Sequence, residues 1–316
     1  SALLVGLLIS LFFLLQTATS SRLPRQICIP QYSADSLCYS KPERLTPRKP
    51  TAIALSPFGN ILAASDETVI KLWNLSSGRM FYRLRGHRDL ISAIAISPDE
   101  QTLASSSLDG TIKFWSLRTG QLITTFESGR ASAIAFSPDG RFLVSSSRVK
   151  RWADGVESPL GAQFWDLRAQ QYGFQLSDRP IRAIAFSPDG NLIALGSTKT
   201  QVWHVREGEL LYVLDSGEVT GLLFGQDGQT LLTSSSRMKL WDLGSGELLN
   251  TFDSGASDLA LSPDGQVLLT AVGGTINLWN LQPEQRVGLL RGSWYSSLFV
   301  DFALQGHAIV AAGTDG

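Results

Sequence analysis

From Thr51 onward, short apolar stretches alternate with polar corners at a near-constant spacing. Runs such as Ala133-Ile134-Ala135-Phe136 and Phe142-Leu143-Val144-Ser145 have the composition of short antiparallel strands. Between such runs recurs a phrase of the form apolar, Ser-Pro-Asp-Gly, polar, apolar. It reads LSPFGN at Leu55, ISPDEQ at Ile96, FSPDG at Phe136 and Phe186, FGQDG at Phe224 and LSPDG at Leu261, with a decayed copy, FALQG, at Phe302. Pro presets φ and Asp bonds back to the backbone, so each phrase predicts a tight hairpin corner.

Further along each copy a third apolar stretch ends in Trp, at Trp73, Trp115, Trp165, Trp203, Trp241 and Trp279. The intervals are 42, 50, 38, 38 and 38 residues. A fourth β-forming stretch follows, as in Leu122 to Phe126. Four short strands per repeat of roughly 40 residues make one blade of a propeller.

These copies resemble the WD40-repeat family, over about 265 of 316 residues, and their wording looks bacterial, especially cyanobacterial. The literal Trp-Asp pair survives only at Trp165-Asp166 and Trp241-Asp242, and the Gly-His pair only at Gly86-His87. The resemblance implies an all-β fold, a seven-bladed propeller whose last blade is incomplete. Blades are expected at about 51–87, 88–129, 130–178, 179–217, 218–255, 256–293 and, in part, 294–316. The last is completed either by chain beyond Gly316, the favoured reading, or by outer strands from residues 23–50 such as Gln26 to Ile29 and Ser36 to Ser40.

Residues 1–21 lie outside this pattern and carry no charge. A helix over them would be ~31 Å long, about the thickness of a bilayer's hydrocarbon core. Its eleven Leu, Ile, Val and Phe favour insertion by at most ~3 to 7 kcal/mol. A single transmembrane anchor is therefore expected ahead of the propeller. The competing reading is a signal peptide, with Ala2 to Leu15 as its core and Ala18 and Ser20 at the small cleavage positions. Residues 22–50 form a linker whose Arg22, Arg25, Lys41, Arg44, Arg48 and Lys49 favour a cytoplasmic ring by the positive-inside rule. Cys28 and Cys38, the two cysteines of the chain, are a candidate disulfide and point the other way, to an oxidising compartment. With the signal-like run, they favour an extracytoplasmic propeller, in the periplasm or thylakoid lumen.

Charge is balanced, 27 Lys plus Arg against 28 Asp plus Glu, which leaves no broad positive field for nucleic acid. Three His and two Cys are too few for a multi-metal or zinc-ribbon protein, and neither a metal nor a cofactor is expected. His87, Asp109 and a Ser among Ser105 to Ser107 could form a nucleophile with its base. The resemblance implies instead that His87, Ser105, Asp109 and Trp115 form a buried structural tetrad. His204 and His307 read as surface residues. No catalytic residue is assigned.

Two Trp fall outside the repeats, Trp152 and Trp294. About 13 surplus residues lie before the third strand of blade three, and insertions on a rigid scaffold commonly carry its individual function. Arg148, Lys150, Arg151 and Trp152 there, with Trp294, are the candidate partner-binding residues, being of types enriched in contact hot spots. The expected function is a non-catalytic, membrane-anchored scaffold that docks on or stabilises a multi-subunit membrane complex, photosynthetic or respiratory, with integral membrane proteins as partners. An exported propeller enzyme or ligand sensor using the central channel, or a stand-alone tethered receptor, are the alternatives.

Overall fold

The computed structural model describes residues 26–30, 36–40, 50–147, 161–169, 171–177, 179–281, 284–291 and 297–313. A hairpin of β1 (Gln26–Pro30) and β2 (Ser36–Ser40) precedes the repeats. Blade one is β3 (Ile53–Leu55), β4 (Ile61–Asp66), β5 (Val69–Asn74) and β6 (Arg79–Arg85). Blade two is β7 (Ile91–Ile96), β8 (Thr102–Ser107), β9 (Thr111–Ser116) and β10 (Leu122–Glu127). Blade three is β11 (Ile134–Phe136), β12 (Phe142–Ser147), β13 (Gly161–Asp166) and β14 (Gln171–Leu176). Blade four is β15 (Ala183–Phe186), β16 (Leu192–Gly196), β17 (Thr200–His204) and β18 (Glu209–Leu214). Blade five is β19 (Gly221–Phe224), β20 (Thr230–Ser234), β21 (Met238–Asp242) and β22 (Leu248–Phe252). Blade six is β23 (Asp258–Leu261), β24 (Val267–Val272), β25 (Thr275–Leu281) and β26 (Glu284–Arg291). A last pair, β27 (Ser297–Ala303) and β28 (Ala308–Gly313), is joined by a 3-10 turn, Leu304–Gly306.

Each blade is an antiparallel meander with its strands in chain order. The corners work as the sequence predicts. In four copies the Ser hydroxyl donates to the Asp two residues on, at 2.5–2.6 Å, for example Ser97 to Asp99 and Ser187 to Asp189. The fourth corner position is left-handed, with Gly at φ 67–72° in five copies. Glu100 takes the same conformation at φ 53° and accepts from Phe58 N of the preceding blade at 2.8 Å.

The core is divided among the seams between consecutive sheets. Leu72 and Leu84 of blade one pack with Ile94 and Trp115 of blade two, and equivalent clusters fill every seam through blade six. The two-stranded sheet closes the ring. Val300 and Ile309 pack on Ala260 and Leu269 of blade six, while Ala303 and Val310 pack on Leu62 and Trp73 of blade one. At that junction Leu304 N donates to Gly59 O at 3.1 Å, and a Cβ on Gly59 would lie 2.4 Å from Leu304 N. Only glycine admits the approach.

The expectation of seven blades is corrected to six. The seventh copy contributes two strands, and among the described residues no third strand ending in Trp pairs with β28. The hairpin β1–β2 forms its own sheet and is not hydrogen-bonded into that of β27–β28. The expected transmembrane helix is also not found: among the described residues no helix is long and apolar enough to cross a membrane, the chain there being strands of three to eight residues. Residues 1–21 lie outside the described residues.

Candidate functional site

Two faces of the ring differ in what they carry. The Ser-Pro-Asp-Gly corners lie on one. The turns between second and third strands, and the crossings from blade to blade, lie on the other, as His87 and Asp109 demonstrate by meeting there. His87 precedes β7 and Asp109 precedes β9, and His87 Nδ1 donates to Asp109 Oδ2 at 2.9 Å. Ser105 Oγ lies 2.8 Å from His87 Nε2 and accepts from Trp115 Nε1 at 2.9 Å. Arg88 N and Thr111 complete the carboxylate's shell, at 2.9 Å and 2.7 Å.

Asp, His and Ser are thus connected in the order a hydrolase would use, yet Ser105 is 0% exposed and the His87 side chain 1%. No substrate atom can reach the hydroxyl, and its lone pair is occupied by the indole N–H. Burial pushes the His87 pKa down despite its Asp109 partner, so the ring stays neutral. Burial would raise the Asp109 pKa, but hydrogen bonds from Arg88, Thr111 and His87 outweigh it and hold it at about 2. The tetrad is a structural clasp tying the entry to blade two to its two middle strands.

Reading the sequence alone treats the other blades as having lost this clasp, whereas part of it remains in three. Trp165 donates to Ser145 at 2.8 Å, Trp241 to Thr233 at 3.0 Å and Trp279 to Thr270 at 3.1 Å. Blade four has Leu195 in that position, and Trp203 Nε1 is buried without a partner. A hydroxyl at one fixed place in the second strands of blades two, three, five and six, at Ser105, Ser145, Thr233 and Thr270, was the available signal.

A second polar pair also went unread. In the first strands of the blades, one face is built of small residues: Ala52, Ala93, Ala133, Ala183 and Gly221 at one position, Ala54, Ala95, Ala135, Ala185 and Ala260 at another. Asp258 stands at the first of these positions in blade six and Asp301 at the second in the closing sheet. The Asp258 carboxyl lies in the seam between β23 and β27, where Val300 N donates to its Oδ2 at 2.8 Å, and Asp301 follows Val300 on β27, near enough to act on Asp258 electrostatically. β23, β24, β27 and β28 carry no Lys, Arg or His. Burial, with Asp301 nearby, pushes Asp258 up to about 7, and burial pushes Asp301 up to about 6.

The insertion of blade three springs from the clasp-bearing face. Its stems are directly paired, Ser147 with Gly161, and the chain between them, residues 148–160, holds Arg148, Lys150, Arg151 and Trp152. Those four residues, and Trp294, lie outside the described residues. The stem is tightly fixed: Gly161 has φ 147°, and a Cβ there would come 2.1 Å from Ser177 O. Beside it on the same face, blade two exposes Leu90 and Leu108, 41% and 36% accessible and joined by a backbone hydrogen bond, next to exposed Arg88. On the other side, blade four has a cavity of about 330 Å³ lined by Arg179, Lys199, Gln201, Leu210 and Val213 among others. Cation, aliphatic and loop together can hold a protein surface. They offer no nucleophile with its base.

His204 ends β17 with Nδ1 3.6 Å from the Glu207 carboxylate, and His307 is exposed after the 3-10 turn. No cluster of His, Cys, Asp or Glu that could hold a metal occurs among the described residues. Cys28 and Cys38 occupy opposed register positions in the β1–β2 hairpin.

Comparison with known proteins agrees with the architecture. The family model described as "WD domain, G-beta repeat" matches residues 78–116, 120–154, 170–203 and 246–280, just under half of the chain. Among curated proteins, the chain is 32% identical over 106 residues to the small ribosomal subunit protein RACK1y of Oryza sativa subsp. japonica, covering 33% of this chain and 31% of that one. It is 31% identical over 116 residues to eukaryotic translation initiation factor 3 subunit I of Scheffersomyces stipitis, covering 36% and 31%. It is 32% identical over 98 residues to an uncharacterized WD repeat-containing protein of Synechocystis sp., covering 30% and 28%. Each match spans about a third of the relative's length.

Proposed function

We propose that this chain, whose repeats match the WD40 family, is a non-catalytic scaffold that holds protein partners on the clasp-bearing face of its ring. The observation that carries the reading is the insertion between the paired Ser147 and Gly161, mounted on a pinned stem and flanked by exposed Leu90 and Leu108. Loops on a stiff frame lose little entropy on binding, which is the use repeat architectures commonly serve. Two of the relatives are named as parts of larger assemblies, a ribosomal subunit and an initiation factor. The sealed hydroxyl of Ser105 speaks against the one triad-like set in the chain being an active centre.

The partner proposed is a multi-subunit membrane complex, photosynthetic or respiratory, and the uncharged apolar residues 1–21 support attachment at a bilayer. The opposed positions of Cys28 and Cys38 support the oxidising side of that membrane, periplasm or lumen. Purification in mild detergent followed by mass spectrometry tests the reading. Stoichiometric integral membrane proteins are expected, lost on Arg151→Ala/Trp152→Ala with the unfolding temperature unchanged. A partner-free monomer would sink it.

A further inference from the structure

The outermost strands of the blades are edge strands, each paired on one side only. Four of them expose two or three large apolar side chains each. β10 exposes Leu122 and Ile123, β18 Leu210, Leu211 and Val213, β22 Leu248 and Leu249, and β26 Val287 and Leu289. β6 is different. Its exposed positions alternate strictly: Arg79, Phe81, Arg83 and Arg85 face solvent, while Leu84 is buried and Met80 and Tyr82 are half-buried. There is no acid on the strand, and among the described residues none of the three guanidinium groups forms an ion pair. The one lysine of the adjacent strand, Lys71, is already held by Asp66 at 2.9 Å.

The inner side of β6 is fixed. Tyr82 donates its hydroxyl to Arg118 O of blade two at 2.8 Å, and its ring fills the space above Gly120, where a Cβ would approach within 2.8 Å. The strand therefore cannot turn its arginines inward, and it offers a rigid free edge. Side chains at alternate strand positions repeat every ~6.8 Å. A second strand laid along this edge would present its own alternate side chains at the same pitch. Carboxylates opposite Arg83 and Arg85 would each meet a planar fork, and an apolar side chain would meet Phe81. Charge alone would accept any polyanion, whereas this edge with this spacing favours an extended chain with acids at every second residue.

We propose that the free edge of β6 is a docking site for an extended acidic segment of a partner protein, added as a fifth strand to blade one and read by Arg79, Phe81, Arg83 and Arg85. The proposal deepens the scaffold reading by giving one partner's chemistry. It places that partner on the rim, apart from the insertion of blade three.

The test uses the full chain and two labelled peptides of one composition, one alternating Glu with Thr around a single Val, the other with the same Glu residues contiguous. Fluorescence anisotropy at low salt is expected to give at least tenfold tighter binding of the alternating peptide. Arg83→Glu/Arg85→Glu is expected to abolish that preference, Arg130→Glu to leave it, with circular dichroism melts confirming folding of all three proteins. Should either charge-reversed protein fail to fold, Arg83→Gln/Arg85→Gln serves in its place. Equal binding of the two peptides overturns the proposal, as does binding of phosphatidylglycerol vesicles or duplex DNA in preference to the alternating peptide. So does a preference that survives the double reversal. Affinity purification separates the two readings: partners recovered equally by wild type and Arg83→Glu/Arg85→Glu remove the edge and leave the scaffold, whereas no partners on wild type removes the scaffold.

Discussion

Blade two and the closing seam both bury ionisable side chains, and they treat them in opposite ways. In blade two, Asp109 is surrounded by donors from His87, Arg88 and Thr111, and its charge is the group around which the clasp is assembled. In the seam, Asp258 and Asp301 stand where neighbouring blades have small apolar residues, with backbone N–H groups as donors and no cation on the strands around them. A buried carboxylate with a complete shell holds structure together, and one without it is favoured only when protonated. The same residue type therefore fastens a blade in one place and, in the other, is expected to make the ring's closure sensitive to pH.

The sharpest break of this contrast is Asp109→Ala. It strips His87, Arg88 N and Thr111 of their acceptor in a sealed site, and a loss of about 3–5 kcal/mol is expected by chemical denaturation, since each neutral buried donor left unpaired costs about 1–3 kcal/mol. A loss under 1 kcal/mol would mean that the network is decoration. Next in size is Asp301→Asn, which keeps the shape and removes the charge. Burial pushes Asp301 up to about 6 in the fold against 3.8 for an unperturbed aspartate, so the folded state binds more protons than the unfolded chain between those limits. Stability on this account is greatest below pH 4 and falls as pH rises toward 6 and, for Asp258, toward 7. Asp301→Asn is thus expected to stabilise the ring by about 3 kcal/mol at pH 8 and to change little at pH 4. The clasp runs the other way. With the His87 pKa lowered, its contribution is present above 6.5 and fades as pH falls below it, and that of Asp109 fades from 3.8 toward 2. The unfolding midpoint of His87→Gln is therefore expected to show less acid sensitivity between pH 6.5 and 5 than wild type, and an unchanged slope there would detach His87 from the clasp.

Much of this was legible in the sequence, and the parts that were not share a cause. The Ser-Pro-Asp-Gly corners and Trp-terminated strands specify local hairpins, and local geometry is what a repeated phrase encodes; each corner and each blade from one to six falls where its phrase stands. The tetrad of His87, Ser105, Asp109 and Trp115 was readable because the resemblance carries those positions together. The number of blades was misread because a first and second strand in the last copy were counted as the start of a whole sheet, whereas a blade depends on pairing from its third strand. The seam carboxylates were missed for a different reason. Asp258 and Asp301 are 43 positions apart, and only the docking of one sheet on another makes them neighbours. The surplus length ahead of the third strand of blade three was legible in the sequence, while Leu90 and Leu108 needed the fold to bring two turns of blade two together.

Blades three and four supply the finest test of the contrast, because they differ by one acceptor. Trp165 donates to Ser145, while Trp203, with Leu195 in the equivalent place, has a buried indole N–H and no partner. Replacing either Trp with Phe removes similar apolar volume, so the cavity costs largely cancel when the two variants are compared. What remains is the hydrogen bond, whose net worth is about 1 kcal/mol, together with the relief of removing an unpaired donor from blade four. Trp165→Phe is accordingly expected to cost about 1 kcal/mol more than Trp203→Phe in equilibrium denaturation at pH 7. Equal costs would show that the residual Trp–hydroxyl pairs contribute nothing without their His and Asp, and that the clasp of blade two acts only as a complete set.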